Sequence, residues 1–269
     1  MRKLLVMTDL HIRAEGQRII GLDPGARLAE ALAHALARHG DAEALVLCGD
    51  LTHAGEPAEY QRLRAVLADC PLPVIPMLGN HDNRDAFRTV FPEAPATPEG
   101  HVQDVRDIGE TWLITLDTLI GPPFGWTHLG RLGPERLAWL DSALAGARDR
   151  QVLVCAHHPP MPTGLPAMDS ILLEDGAALV DRLLAHDAPA HLILGHLHRT
   201  VSGTMRGLPF TVLKGTCHQG PLELVSDDST LSVDEPGAYG VVLLGPGQVI
   251  VHSEDVLATG SALSGYDMA

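Results

Sequence analysis

Up to residue 155, short apolar runs alternate with segments in which apolar residues recur at helical spacing. The runs have the length and β-branched content of buried strands. In the first intervening segment Leu28, Leu32 and Leu36 share one helical face, and Gly40 follows at a helix C-terminal position. The pattern predicts strands at 3–8, 44–48, 74–78, 111–117 and 151–155, and helices at 26–38, 57–68 and 134–144.

The pattern changes after one more amphipathic helix at 174–186 and an apolar run at 191–194. The following predicted strands have no helix between them, and they cover 200–204, 209–213, 239–244 and 248–252. This order favours α/β architecture with a mixed sheet or two stacked sheets and helices outside, rather than a purely parallel sheet. With 269 residues, we expect one domain over 1–269, a possible small cap or insertion at 219–238, and an irregular tail from Ser253.

Composition excludes several classes of partner. The chain carries a net charge of −15, whereas proteins that bind extended nucleic acid usually present a basic face, so we do not expect such a partner. No apolar run approaches the ~20 residues that span a bilayer, so no membrane partner is expected. The first apolar run stops at Thr8 and Asp9, too early for a secretory signal, and we expect a cytoplasmic protein. The 15 histidines are the unusual feature.

Ligand-type side chains follow five of the predicted strands. Because neighbouring loops converge at the carboxyl ends of strands in α/β sheets, we expect these side chains to lie close together. The residues are Asp9 and His11 after the first strand, Asp50 after the second, Asn80, His81 and Asp82 after the third, His157 and His158 after 151–155, and His196 and His198 after 191–194.

The residue types indicate a metal centre. Carboxylate, imidazole and amide groups without a CxxC pair suit Mn, Fe, Zn or Co. The i,i+2 spacings of DxH and HxH would direct both side chains to one face at a strand end. A single ion needs three or four protein ligands, so a set of seven would suit two ions that share one ligand. Because a carboxylate can bridge two cations, Asp50 is the natural candidate for the shared ligand. Taken singly, Asp9 could cap a helix, Asp50 could form an Asx turn, and a lone histidine could be structural.

The ordered motifs DxH, GD, GNHD, HH and GHLH resemble those of the calcineurin-like metallophosphoesterase superfamily from residue 1 to about 219. The stretches GDLTHAGEPAEYQRL, HHPPMPTGLPAMD and GTCHQG look most like its bacterial glycerophosphodiesterase and class III cyclic-nucleotide phosphodiesterase branch. The resemblance implies a four-layer αββα sandwich with a dinuclear site. It assigns Asp9, His11 and His198 to one metal, Asn80, His157 and His196 to the other, and Asp50 to the bridge.

The resemblance also implies roles for residues around the metals. His81 would protonate the leaving alkoxide or hold a phosphoryl oxygen, with Asp82 as its partner. His218 would touch a non-bridging oxygen or the leaving group. Asp117 would orient a ligand imidazole, unless it only forms a strand-end turn. His53 lies three residues after Asp50 and is expected to face the cleft, although relatives often carry other residues at this position.

The expected activity is hydrolysis of small phosphodiesters by in-line attack of metal-bound hydroxide on phosphorus. Glycerophosphodiesters, cyclic nucleotides and simple alkyl or aryl diesters are the candidate substrates. A phosphomonoesterase or promiscuous esterase on the same site is the alternative, and a non-catalytic scaffold of the same fold is the remote one. After Gln219 the chain departs from the glycerophosphodiesterases, whose longer insertion caps the site and contributes to assembly. We expect a homo-oligomer, dimeric or higher.

Overall fold

Two mixed β-sheets form the centre of a computed structural model that describes residues 1–121 and 127–256. The strands are β1 (Arg2–Met7), β2 (Ala44–Cys48), β3 (Val74–Met77), β4 (Asp104–Ile108), β5 (Thr111–Leu116), β6 (Gln151–Ala156), β7 (Ala190–Leu194), β8 (Val201–Met205), β9 (Leu208–Val212), β10 (Ala238–Gly245) and β11 (Gln248–Asp255). The helices are α1 (Pro24–His39), α2 (Pro57–Leu67), α3 (Arg84–Val90), α4 (Gly133–Ala147), α5 (Pro166–Asp169) and α6 (Gly176–Ala185).

Both sheets combine parallel and antiparallel strands: the first has antiparallel strands at one edge only, and the second has an antiparallel strand at each edge. The first sheet has the order β11-β10-β1-β2-β3, in which β1, β2 and β3 are parallel. The second has the order β4-β5-β6-β7-β9-β8, with β5, β6, β7 and β9 parallel. The carboxyl ends of the parallel strands in each sheet therefore lie on the same side, and the loops that follow these strands meet there.

Alternating side chains along the strands build three cores. On β1, Leu5 and Met7 pack in the core that includes residues of α1 and α2, while Leu4 and Val6 pack between the two sheets. On β6, Val154 packs toward α4 and α6 and Cys155 lies between the sheets. This period of two produces helix, sheet, sheet and helix layers, and the predicted four-layer αββα sandwich is confirmed.

Helix α1 shows how local sequence sets an element boundary. The Asp23 carboxylate accepts hydrogen bonds from the N–H groups of Gly25 and Ala26, and Pro24 occupies the first turn. The helix therefore begins two residues before the predicted start at 26. Among the described residues, no helix is both long enough and apolar enough to cross a bilayer.

Three elements were not predicted, and one prediction is wrong. The unpredicted β4 has the polar sequence DVRDI and lies at a sheet edge, where it needs no apolar alternation. The short helices α3 and α5 were also not predicted. Strand β11 continues through Asp255, paired with β10, so the irregular tail does not begin at Ser253. The rest of the predicted tail, 257–269, lies outside the described residues.

Candidate metal centre

The predicted ligands lie in loops with unusual backbone conformation. Asp9, His11, Asp50, His196 and His198 have φ values of 51°, 45°, 48°, 72° and 50°. Residues other than glycine rarely adopt this left-handed region, and such residues cluster at functional sites. The strand-face explanation for the i,i+2 spacings is therefore wrong. Left-handed rather than extended backbone after β1 and β7 carries these side chains to the ligand groups, and His196 and His198 reach different groups.

One ligand group joins Asp9, His11, Asp50 and His198. One ligand atom from each lies within 4.8 Å of the others, and all four residues are buried. Nε2 of His198 lies 2.9 Å from Nε2 of His11 and 3.3 Å from Oδ1 of Asp9. Carboxylate and imidazole donors converging at these distances fit a divalent cation.

A second group joins Asp50, His157 and His196, again within 4.8 Å. Two further observations fit a metal here. Nε2 of His157 and Oδ1 of Asn80 are buried and have no hydrogen-bond partner among the described residues. A buried polar atom without a partner costs about 1–3 kcal/mol, which a bound cation would offset. The residues of both groups therefore suit the metals that their chemistry implies.

Asp50 connects the two groups through one carboxylate oxygen. Its Oδ2 lies 3.5 Å from Nε2 of His11 and 3.3 Å from Nε2 of His157. Its Oδ1 accepts a hydrogen bond of 2.9 Å from the His81 N–H, which holds the carboxylate in place. A carboxylate in this position could bridge two ions, and the bridging role of Asp50 stays a prediction.

Backbone carbonyls orient three of the ligand imidazoles. When one ring nitrogen donates to a carbonyl, the tautomer is set and the other nitrogen is available to a metal. The pairs are His157 Nδ1 with Cys48 O, His196 Nε2 with Ile171 O, and His198 Nδ1 with His218 O, each at 2.9 Å.

The protonation states of the buried groups depend on one another. Burial alone would raise the pKa of Asp50, but attraction to His157, His81 and His11 outweighs it and holds the pKa well below its usual value. Burial and neighbouring imidazoles lower the pKa of His11 far below its usual value, so its ring is neutral, as a ligand must be. Burial also lowers the pKa of His157, but the Asp50 carboxylate outweighs this and raises it to about 9. The same attraction favours a metal cation at that nitrogen.

His81 lies beside the ligand groups and lines the cleft above them. Its Nδ1 is 2.8 Å from the carbonyl oxygen of His53, which leaves Nε2 as the other hydrogen-bonding atom of the ring. The ring stacks on His53 at 5.0 Å and lies 5.1 Å from the ring of His128. This position suits contact with a substrate.

Asp82 does not support His81 as predicted. Its carboxylate accepts hydrogen bonds from the N–H groups of Leu51, Thr52 and Gly79 and from the hydroxyls of Thr52 and Tyr60. Within the described residues it makes no hydrogen bond to the His81 side chain. Burial, with repulsion from Asp50, raises the pKa of Asp82 to about 6. The predicted partnership is therefore wrong, because this carboxylate ties together the loops after β2 and β3.

Asp117 also has a structural position rather than the predicted one. Its carboxylate pairs with Nε and Nη2 of Arg84 at 2.6 and 2.8 Å. It also accepts hydrogen bonds from the N–H groups of Val102 and Leu119. Arg136 lies on its other side. These buried contacts occupy the carboxylate, so it does not orient a ligand imidazole, and the strand-end alternative is correct.

His218 and His53 both lie beside the ligand groups, and the predicted contact of His218 with a substrate stays a prediction. The His218 ring is 4.4 Å from that of His198, and its buried Nδ1 has no hydrogen-bond partner in the part of the chain that the structure describes. Nδ1 of His53 lies 3.3 Å from Nδ1 of His11. Both rings line the same cleft.

One neighbouring residue was missed. Nδ2 of Asn80 lies 2.8 Å from Nδ1 of His128, which holds the amide so that its oxygen remains available. His128 does not follow an apolar run directly, so the strand-end criterion did not select it. His158, which was predicted together with His157 after 151–155, is buried with Nδ1 2.7 Å from Thr118 Oγ1, and its ring is 4.7 Å from that of His196.

The fold and this carboxylate-imidazole centre are those of a metallophosphoesterase. The sequence matches the calcineurin-like phosphoesterase family over residues 2–200, and the chain belongs to that family.

Curated relatives and solved structures agree with this membership. The chain is 39% identical to the "Probable cyclic nucleotide phosphodiesterase" of Rhodopseudomonas palustris, over 98% of this chain and 96% of the relative. It is 29% identical to the glycerophosphodiester phosphodiesterase GpdQ of Enterobacter lignolyticus, over 80% of this chain and 77% of the relative. A dimetal phosphatase from Danio rerio shares the fold with a TM-score of 0.71 and 14% identity, over 95% of this chain and 96% of that one.

Proposed function

We propose that this protein is a metal-dependent phosphodiesterase that hydrolyses small phosphodiesters at a centre of two divalent ions. The observation that carries the proposal is the pair of buried ligand groups that share Asp50. The similarity to the Rhodopseudomonas palustris protein over nearly the whole chain supports diester hydrolysis as the reaction.

The residues that would hold the ions fall into two sets. Asp9, His11 and His198 would hold one ion, Asn80, His157 and His196 the other, and Asp50 both. When bound, Mn, Fe, Zn or Co ions lower the pKa of water and draw charge from phosphoryl oxygens. Imidazole, carboxylate and amide donors suit all four, so metal availability would select among them.

The protein's own groups supply orientation and a proton. The carbonyl of His53 accepts from Nδ1 of His81, so the ring meets a substrate with Nε2. Protonated at Nε2, His81 would donate a proton to the departing alkoxide, a step that typically contributes 10²–10⁴-fold. The N–H of the same residue holds the carboxylate of Asp50. One residue thus links the ligand groups to the leaving group.

The shape of the cleft favours a diester over the alternative, a monoester. Two adjoining cavities of about 390 and 430 Å³ share His53, Asn80, His81 and His128 as lining residues. A diester has two organic arms and a monoester has one, so two cavities that meet at these residues suit a diester. Homo-oligomerisation stays a prediction.

The test is the ratio of hydrolysis rates on bis(p-nitrophenyl) phosphate and p-nitrophenyl phosphate. The wild type would be loaded with Mn, and Asn80→Ala would serve as the metal-ligand control. A strong preference for the diester, lost with most of the turnover in Asn80→Ala, is the expected result. A preference for the monoester would favour the phosphatase alternative, and no turnover of either ester would favour a scaffold.

A further inference from the structure

The two cavities that meet at His81 differ in chemical character. Arg13, Glu56, Asp82 and Asn83 line one of them, which we call the polar branch. The other, which we call the apolar branch, has six apolar side chains in its wall. These are Ile19, Ile20, Met168, Ile171, Leu197 and Leu231. The two arms of a bound diester would therefore meet different surroundings.

Ile20 is an unexpected residue at its position. The N–H and C=O groups of Ile19 and Leu22 pair at 3.0 and 2.8 Å, and between them Ile20 and Gly21 have φ values of 43° and 86°. Positive φ at both central residues is typical of a type I′ turn, which strongly prefers Asn-Gly. A β-branched side chain is strained in this region. Local backbone preference therefore does not explain isoleucine here.

Packing does not explain Ile20 either. Its side chain is 51% exposed, so it contributes little to the protein core. Strained residues persist where the strain serves a site. The feature of Ile20 that a site can use is an apolar side chain that the turn holds at the wall of the cleft.

Leu231 reaches the same branch from the segment 219–238. Paired N–H and C=O groups of Gln219 and Val233, at 3.1 and 2.8 Å, anchor that segment beside His218. Leu231 is 41% exposed although it lines the cleft. Two exposed apolar residues from distant parts of the sequence thus border the path from solvent to the ligand groups.

The lining also indicates what kind of group would bind. Ser229, Thr230 and Ser232 lie beside Leu231 in the wall. Among the described residues that line the apolar branch, there is no lysine or arginine to bind a second anionic group. Apolar side chains can cover the faces of a planar ring, and hydroxyls can meet its polar edge. A hydrophilic arm such as glycerol would leave the apolar side chains without a contact.

We propose that Ile20 and Leu231 are specificity-determining residues that hold a planar heteroaromatic group on one arm of the phosphodiester. This inference rests on the proposed function and deepens it. The reacting phosphate would lie at His81, and the ring would lie in the apolar branch.

The test compares two diesters, of which only one carries a planar ring. 3′,5′-cyclic AMP carries a planar base, whereas both arms of glycerophosphoethanolamine are hydrophilic. The variants are Ile20→Asn, Leu231→Asn and the matched control Leu224→Asn. Leu224 belongs to the same segment and is 59% exposed. It does not line either branch within the described residues.

We expect Ile20→Asn and Leu231→Asn each to lower the ratio of kcat/KM for cyclic AMP over that for glycerophosphoethanolamine about tenfold, mainly through KM. Leu224→Asn should keep the wild-type ratio. Because asparagine favours the type I′ turn, Ile20→Asn should also raise the melting temperature. A purely structural role of Ile20 would not combine a more stable fold with a lower ratio.

An unchanged ratio in Ile20→Asn and Leu231→Asn overturns the inference, whatever happens to stability. An equal loss of kcat/KM on both diesters overturns it too. If the wild type turned over neither diester, the proposed function would fail instead. The dissociation constants of the two compounds, measured by calorimetry, would then decide the inference by the same tenfold criterion.

Discussion

Nε2 of His157 lies 3.3 Å from Oδ2 of Asp50, and both side chains are buried. The contact does not have the geometry of a hydrogen bond, and within the described residues this nitrogen has no hydrogen-bond partner. Oδ1 of Asp9 lies 3.9 Å from the same nitrogen. The Asp50 oxygen, Oδ2, also lies 3.5 Å from Nε2 of His11. This position of Asp50 beside two imidazoles would allow its carboxylate to be a ligand that two ions share.

Replacement of His81 by glutamine should slow the cleavage of poor leaving groups most. An alkoxide needs a proton as it departs, whereas p-nitrophenolate is stable without one. We expect kcat/KM of His81→Gln to fall about 100-fold on glycerophosphoethanolamine and much less on bis(p-nitrophenyl) phosphate. Steady-state kinetics of the two diesters at equal metal loading measures the difference. An equal loss on both would indicate a contact to the phosphoryl oxygens rather than proton donation.

Replacement of Tyr60 by phenylalanine tests the structural position of Asp82. The Tyr60 hydroxyl donates to Asp82 Oδ1 at 2.9 Å and accepts the N–H of Asn83 at 2.8 Å. Losing both bonds in a buried site should lower the free energy of unfolding by about 1–3 kcal/mol. Urea unfolding measures that loss, and turnover of bis(p-nitrophenyl) phosphate should stay near the wild-type rate. A large loss of turnover at unchanged stability would instead return Asp82 to a catalytic role.

His191 should make the fold less stable in mild acid. Burial lowers its pKa to about 4 from an ordinary value of 6.5. Between these values the unfolded chain binds more protons than the folded protein. The contribution of neutral His191 to stability is therefore complete above about pH 6.5 and is lost as the pH falls through about 4.

The measurement for His191 is urea unfolding at pH 7 and pH 5. His191→Gln removes the titrating group and keeps a side chain able to hydrogen-bond the Thr211 hydroxyl, which lies 3.2 Å from Nε2 of His191. Between these pH values, the free energy of unfolding of His191→Gln should fall by about 1–2 kcal/mol less than that of the wild type. The matched control is His252→Gln, at an exposed position on β11, which should behave as the wild type. Identical losses in His191→Gln and the wild type would contradict the assignment.

The strand ends were predictable because buried parallel strands are nearly uninterrupted apolar runs. The run at 44–48 coincides with β2, and Asp50 follows it as predicted. Ligand residues after successive runs then converge by the geometry of parallel sheets. Neither step needs information about distant contacts.

The side-chain partners were not predictable in the same way. Asp82 follows His81 directly, which suggested a partnership, but its carboxylate bonds to Leu51 and Thr52 in another loop. The positive φ of His196 and His198 also leaves no signal in residue type, because the site and not the local sequence imposes it. Asp104 and Arg106 make β4 appear to be a loop, although pairing with β5 makes it an edge strand.

The most direct test of the central claim is the metal content of the wild type and of Asp50→Ala, measured by elemental analysis after loading with Mn and gel filtration. Asp50→Asn is the matched variant that keeps the shape of the side chain. We expect about two ions per wild-type chain. Asp50→Ala should lose both ions and diester turnover. An Asp50→Ala protein that hydrolyses diesters without metal would contradict this expectation.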